Sequence, residues 1–103
     1  MSGIVGVVHQ GGRPVDPSLL SLLTHSMIFR GPDACRTWVD GPVGLGHTLL
    51  STTDEAVHEK QPSNLDGGLW ITADARIDGR SGLVDELRGR GRRVCAATTD
   101  PVL

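Results

Sequence analysis

The pattern of apolar and polar positions along the chain predicts short strands separated by two helices. Residues 4–8, Ile-Val-Gly-Val-Val, form a β-branched apolar run that is typical of a strand, and we expect it to be buried at the centre of a sheet. The glycines in and beside this run would let another backbone approach closely. A helix is predicted next, because apolar residues recur every three or four positions, at Leu19, Leu20, Leu23 and Met27. We expect this apolar side to pack on the sheet.

The first helix has sequence signals at both ends. Asp16 can act as the N-cap, and Pro17 suits the first helical position, where its missing N–H costs nothing. The segment 29–33 contains Gly31-Pro32 and should end the helix, since proline disfavours helical backbone in the residue before it.

Three further strands are predicted. Residues 35–39 alternate between polar and apolar positions, a turn follows at Asp40-Gly41, and residues 43–47 return as an antiparallel partner. A glycine-rich turn at 66–68 leads into residues 69–73, whose composition predicts a buried strand.

The remaining segments give weaker signals. Residues 52–66 are polar and predict a long loop around Gln61-Pro62, while residues 80–90 predict a second helix that ends at Gly91. Residues 94–97 suit a short strand, and residues 99–101 resemble the start of another helix. We therefore expect the chain to be incomplete, and the pattern as a whole predicts an α+β domain with antiparallel strands.

Composition narrows the function classes. The 103 residues suffice for one domain, and the core must be mainly aliphatic because only three residues are aromatic, namely Phe29, Trp38 and Trp70. A net charge of −2 gives no case for binding nucleic acid or an anionic membrane. Two isolated cysteines and the lack of a signal peptide or membrane span predict a cytoplasmic protein with reduced thiols. The four histidines fit no metal-ligand spacing, so we expect no metal site.

One candidate for chemistry lies at the start of the chain. If Met1 is removed, Ser2 carries a free α-amine beside its own hydroxyl, and a neutral amine there can act as a base. This arrangement is used by N-terminal nucleophiles. These residues alone do not distinguish a nucleophile from an ordinary second residue of a strand.

Several short motifs, in a fixed order, make the chain resemble a known family. They are Met-Ser-Gly-Ile-Val-Gly at 1–6, Arg-Gly-Pro-Asp at 30–33, and matching segments at 12–16, 44–47, 50–51, 61–62 and 99–100. The chain resembles the N-terminal, class II glutamine amidotransferase domain of the asparagine synthetase family. That resemblance implies an Ntn-hydrolase-like αββα sandwich of antiparallel strands, of which residues 1–103 would be the N-terminal portion. It also implies that the ATP-binding synthetase domain is absent from this chain.

The resemblance implies functional positions at Ser2, Leu49 and Asp100, of which the first two carry replacements. Ser2 stands at the nucleophile position, where the family has Cys, although other Ntn hydrolases use Ser. Leu49 stands where an arginine holds the carboxylate of glutamine, so a bidentate clamp is lost. Asp100 keeps a matching position for binding the substrate amine.

The replacements at the implied oxyanion hole are more disruptive. Asp74 and Ala75 stand at the family's Asn-Gly pair, and losing one oxyanion donor costs roughly 100–1,000-fold in rate. Arg76 replaces a glutamate near the substrate ammonium, a repulsion of about 4 kcal/mol at ~4 Å and an effective dielectric constant of 20. We expect Arg76 to pair instead with Asp74 or Asp78.

Two functions follow from the resemblance. The first is a non-catalytic glutamine-amidotransferase-like domain of an ATP-dependent amide ligase, similar to lasso-peptide macrolactam cyclases and β-lactam synthetases, in which a substrate amine attacks an acyl-adenylate. The alternative is the glutaminase domain of a glutamine-hydrolysing asparagine synthetase that uses Ser2 as its nucleophile. The replacements at Ser2, Leu49, Asp74 and Arg76 favour the first.

The same resemblance sets expectations for cofactors and partners. It implies no cofactor in this chain, and ATP with Mg²⁺ in the missing synthetase domain. The expected partners are a C-terminal synthetase domain, or a separate polypeptide that carries it, and a precursor peptide.

Overall fold

The structure, a computed structural model, describes residues 2–51, 59–65, 68–94 and 98. Its elements, in chain order, are β1 (Gly3–Val8), α1 (Pro17–His25), β2 (Ala34–Asp40), β3 (Val43–Leu49), β4 (Ser63–Leu65), β5 (Leu69–Ile71) and α2 (Arg80–Gly89). Both sheets are antiparallel. The predicted α+β class is therefore confirmed, and it is consistent with the N-terminal portion of an Ntn-like domain.

The larger sheet has the order β1-β3-β2, so β3 is its central strand. The prediction that residues 4–8 form a central buried strand is wrong, because among the described strands β1 pairs only with β3. Ile4 is 48% exposed and Val8 is 67% exposed. A β-branched run indicates a pleated, half-buried surface, and it does not determine how many neighbours the strand has.

Helix α1 packs closely against one face of β3. Asp16 caps the helix as predicted, because its Oδ1 accepts the Ser18 N–H at 2.9 Å. Leu20 and Thr24, on the side of the helix that faces β3, are fully buried. They can lie there because Gly44 and Gly46 have no side chains, and a Cβ at Gly44 would stand 2.9 Å from Leu20 Cδ2.

The predicted sheet-facing side of α1 is only partly correct. Leu19 is 46% exposed and Leu23 is 39% exposed, whereas Thr24 is buried in their place. Thr24 can be buried because its hydroxyl donates to the Leu20 carbonyl at 2.7 Å. Its polar atom therefore keeps a partner without water, which hydrophobic periodicity does not reveal.

The smaller sheet, β4 paired with β5, packs on the opposite face of the larger one. The register sets Thr37 opposite Gly46 and Trp38 opposite Leu45. Because side chains alternate along a strand, Trp38 points away from α1. Its ring stacks on that of Trp70 from β5, with centroids 4.5 Å apart.

In the smaller sheet, the strand boundaries differ from those predicted from the sequence. Strand β4 lies within the segment predicted to be a long loop, although residues 52–58 of that segment lie outside the described part of the chain. Strand β5 is shorter than predicted, and Leu69 is 61% exposed, so the strand is half-buried.

The second helix is confirmed, and Gly91 beyond its end has a φ of +82°, as a helix-terminating glycine requires. The strand predicted at 94–97 lies mostly outside the described residues, and the helix start predicted at 99–101 lies entirely outside them. Neither described helix has the length or apolar character that a membrane crossing requires.

The close approach of α1 to β3 generates a stability prediction. Gly46→Ala should lower the free energy of unfolding by about 1–3 kcal/mol, because the new Cβ would overlap the Thr24 hydroxyl. Urea unfolding followed by circular dichroism measures this change. Gly82→Ala is the matched control, since its Cβ meets open space within α2, and it should stabilise by about 0.5–1 kcal/mol. Equal effects of the two substitutions would contradict the packing described.

Candidate functional site

Ser2 is buried at the end of the larger sheet. The residue is 8% exposed, and its Oγ accepts the Leu50 N–H at 3.2 Å. Its carbonyl oxygen accepts a hydrogen bond from Arg30 Nε at 3.5 Å. The hydroxyl is therefore held in place by backbone, and a cationic side chain lies beside the same residue.

The segment 30–33 holds the end of β3 against Ser2. A Cβ at Gly31 would overlap the backbone between Thr48 and Leu49, so glycine is required for this close approach. The Asp33 N–H donates to the Leu49 carbonyl at 2.9 Å, and Asp33 Oδ2 accepts the Ser51 N–H at 2.8 Å. The Arg-Gly-Pro-Asp motif thus fixes the chain on both sides of Leu50, whose N–H reaches Ser2.

Thr48 joins three segments at this point and was not predicted as a functional residue. It is fully buried. Its Oγ1 accepts the Gly3 N–H at 3.1 Å and donates to the Met27 carbonyl at 3.2 Å. These bonds connect β1, β3 and the turns after α1, so Thr48 fixes the backbone that carries Ser2.

On the face of β3 opposite α1, His47 anchors the chain that follows β5. His47 is 2% exposed, and its Nε2 donates to the Ala73 carbonyl at 3.2 Å, which defines the tautomer. Gln61 is also buried, and its side-chain amide forms hydrogen bonds with both the N–H and the carbonyl of Ala73. Its Oε1 accepts the Ala73 N–H at 2.7 Å, and its Nε2 donates to the Ala73 carbonyl at 3.0 Å.

Burial lowers the pKa of His47 below its ordinary value, because a charged imidazolium loses solvation in this environment. The Ala73 carbonyl and the nearby negative charge of Asp74 act in the opposite direction, and burial outweighs them. His47 is therefore neutral at physiological pH and serves as a hydrogen-bond donor.

The structure brings some of the predicted site residues together. Continuing the β1–β3 register by one residue sets Ser2 opposite Leu49, which is 6% exposed. Asp74 follows Ala73 and is close enough to His47 to influence its pKa. Asp74 and Ala75 are both exposed, and Asp100 lies outside the described residues.

Arg76 lies on the surface and pairs with Asp78, one of its two expected partners. Their closest atoms are 3.7 Å apart, and the side chains are 77% and 94% exposed. Such an exposed ion pair contributes little to stability, because water screens it.

Sequence reasoning missed the anchoring roles of His47, Gln61 and Thr48. The anchoring role of His47 has no signature in the sequence, because its partner is a backbone carbonyl 26 positions away. A usable signal did exist for two of them, since His47 and Gln61 both lie in the segments that carry the family resemblance.

Within the described ranges, no three histidine, cysteine, aspartate or glutamate side chains converge as a metal site would require. What the arrangement offers instead is a buried hydroxyl with a backbone donor, a nearby guanidinium, and an apolar side chain at the strand end.

Comparison with known proteins identifies the domain type. A family model described as the glutamine amidotransferase domain matches residues 1–102. No curated protein and no solved structure matches the chain. The family match covers almost the whole chain and includes every candidate site residue.

The burial of His47 generates a pH prediction. The unfolded chain binds a proton at this side chain near pH 6.5, whereas the folded chain does so only at lower pH. The contribution of His47 to stability is therefore complete above pH 6.5 and decreases as the pH falls towards its folded pKa, by at most about 1.4 kcal/mol per pH unit.

Urea unfolding of the parent chain and of His47→Gln at about pH 7.5 and 5.5 measures this contribution, because the loss of stability on acidification should be smaller in the variant. His9→Gln is the control and should leave that loss unchanged. Identical losses in the parent and in His47→Gln would contradict the assignment.

Proposed function

The chain belongs to the glutamine amidotransferase domain family, and from that premise we propose that it is a non-catalytic domain of an ATP-dependent amide ligase. The ligase would be of the asparagine synthetase family and similar to a lasso-peptide macrolactam cyclase. In such an enzyme the nitrogen arrives on the substrate amine, so glutamine hydrolysis is not needed.

The observation that carries this proposal is the buried Leu49. It is 6% exposed and lies beside Ser2, at the position where the resemblance places an arginine for the glutamine carboxylate. Its hydrocarbon side chain cannot form a charge-assisted hydrogen bond. A carboxylate brought against it would lose hydration without gaining a partner, which is strongly unfavourable.

Asp74 adds a second obstacle to glutamine hydrolysis. A tetrahedral intermediate needs hydrogen-bond donors where its oxygen becomes negative, and a carboxylate offers only acceptors when ionised. The expected loss for one missing donor is roughly 100–1,000-fold in rate.

In the structure, Arg76 is a weaker argument against glutamine binding than it was in the sequence. Its side chain is 77% exposed and paired with Asp78. Two unit charges at ~4 Å interact by about 1 kcal/mol in water, compared with about 4 kcal/mol at an effective dielectric constant of 20. The proposal therefore depends on Leu49 and Asp74 more than on repulsion by Arg76.

The proposed ligase reaction takes place in the synthetase domain. A substrate carboxylate attacks ATP to give an acyl-adenylate and pyrophosphate, and a substrate amine then displaces AMP to form the amide. We propose that ATP and Mg²⁺ bind the synthetase domain or its separate polypeptide, and that a precursor peptide supplies the amine and the carboxylate. The role of the present chain is to pack against that domain.

The alternative is a glutaminase that uses Ser2, and the contacts of Ser2 favour it. The hydroxyl is oriented by the Leu50 N–H, and Arg30 places a cation near the same residue. The alternative assigns the role of the lost clamp to this arginine. In this function Asp100 would bind the substrate amine.

The two functions differ in glutamate release. With Met1 removed, the chain should release no glutamate from glutamine, and Ser2→Cys should not restore activity, because the thiol replaces only one of several lost groups. The measurement is a coupled glutamate assay on protein whose N-terminus has been verified by mass spectrometry. Ser2→Ala is the control for background hydrolysis. Release above that background by either protein would favour the glutaminase.

The ligase itself can be tested with the chain joined to its synthetase domain. AMP formation with a candidate precursor peptide should be the same with and without glutamine, since the peptide amine is the nucleophile. Amide formation that requires glutamine would overturn the proposal and establish the asparagine synthetase alternative.

A further inference from the structure

An open cleft lies where the chain leaves β1 and turns towards α1. Its volume is about 430 Å³, and it is lined by Val8, His9, Gln10, Gly11 and Arg13. The turn beside it is closed by the Gly12 N–H, which donates to the His9 carbonyl at 3.1 Å. We call it the 8–13 cleft. It lies at the end of β1 opposite to Ser2, so it is separate from the candidate functional site.

The 8–13 cleft contains hydrogen-bond donors that have no partner in the described part of the chain. The backbone N–H groups of Gln10, Gly11 and Arg13 donate to no protein atom there. The side chains of His9, Gln10 and Arg13 form no hydrogen bond or ion pair with a described residue either. In an open cleft these donors are bonded to water, and a ligand with acceptor atoms can take its place.

No carboxylate lines the 8–13 cleft. Asp16, three residues after Arg13, uses its side chain to cap α1. The turn that carries Asp40 adjoins the cleft, because the His9 N–H donates to the Pro42 carbonyl at 2.8 Å. Among the described residues, however, Asp40 forms no ion pair with Arg13. The guanidinium therefore has no counter-ion from the described part of the protein.

We propose that the 8–13 cleft binds a phosphoryl group, either as inorganic phosphate or as part of a small phosphate ester. Several donors beside one cation select an anion, because a cationic ligand would be repelled by Arg13 and an apolar ligand would leave the donors without acceptors. A guanidinium matches phosphate oxygens with two parallel hydrogen bonds. A turn that contains a left-handed residue, here Gly12 with a φ of +81°, can present neighbouring N–H groups to the same anion.

Val8 gives the 8–13 cleft an apolar wall. Its side chain is 67% exposed. An ester with an apolar group gains contact with this wall, which inorganic phosphate cannot use. Relative affinity therefore distinguishes the two sources of the phosphoryl group. The proposal concerns a separate site and does not depend on the proposed ligase function.

A titration of the ¹⁵N-labelled full chain with inorganic phosphate and with phenyl phosphate, at constant pH and ionic strength, tests the site. The amide signals of Gln10, Gly11 and Arg13 should shift saturably, with a dissociation constant on the order of 1 mM. Tighter binding of phenyl phosphate would assign the cleft to a phosphate ester, and equal binding would assign it to free phosphate. Arg13→Gln should raise the dissociation constants at least about tenfold, because its charge-assisted hydrogen bonds are lost.

Arg36→Gln is the matched control, because it removes the same charge from an exposed position on β2 that does not line the cleft. It should leave the dissociation constants unchanged. Circular dichroism should show the fold retained in both variants, since both arginines are exposed. Shifts that do not saturate by about 20 mM would overturn the proposal, as would equal shifts with sodium acetate. Equal losses of affinity in Arg13→Gln and Arg36→Gln would also overturn it, because the binding would then reflect overall charge.

Discussion

The close packing of α1 on β3 is the constraint on which the described structure depends. Gly44 and Gly46 let the helix approach the central strand, and Leu20 and Thr24 occupy the space that side chains would otherwise fill. A tightly packed interior leaves no room for a methyl group at these points. Because β3 is paired on both sides, its position determines that of β1 and β2 as well.

The opposite face of β3 and its C-terminal end carry the candidate site. His47 and Gln61 fix the backbone at Ala73, while Gly31 and Asp33 fix the backbone beside Ser2. Most of these bonds end on backbone groups. A scaffold held in this way does not depend on the side chains that contact a substrate, so the groups that bind glutamine can be lost while the fold is retained.

Features that depend on neighbouring residues in the chain were predictable from the sequence, and features that depend on long-range contacts were not. The start of α1 was predictable because capping by Asp16 and Pro17 is local, whereas the helix ends at His25, before the predicted end at 29–33. The edge position of β1 was not, because it depends on which strands pair at long range. The burial of Thr24 depends on the glycines of a strand about 20 residues away, and neither pattern nor propensity records that contact.

The candidate site shows the same division. The β1–β3 pairing brings Ser2 next to Leu49, and the solvent exposure of Arg76 became apparent only in the structure. Because Arg76 is exposed to water, the repulsion expected between it and a substrate ammonium falls about fourfold, owing to the higher effective dielectric constant.

The measurement that tests the central claim most directly is a titration of the ¹⁵N-labelled chain with glutamine, followed by the amide signals of Leu50 and Ala73. These amides bond to Ser2 and Gln61, so a ligand in the site would perturb them. We expect no saturable shift up to about 10 mM glutamine, which corresponds to a binding free energy weaker than about 3 kcal/mol. Saturable shifts with a dissociation constant below about 1 mM would show that the pocket still recognises glutamine and would contradict the account.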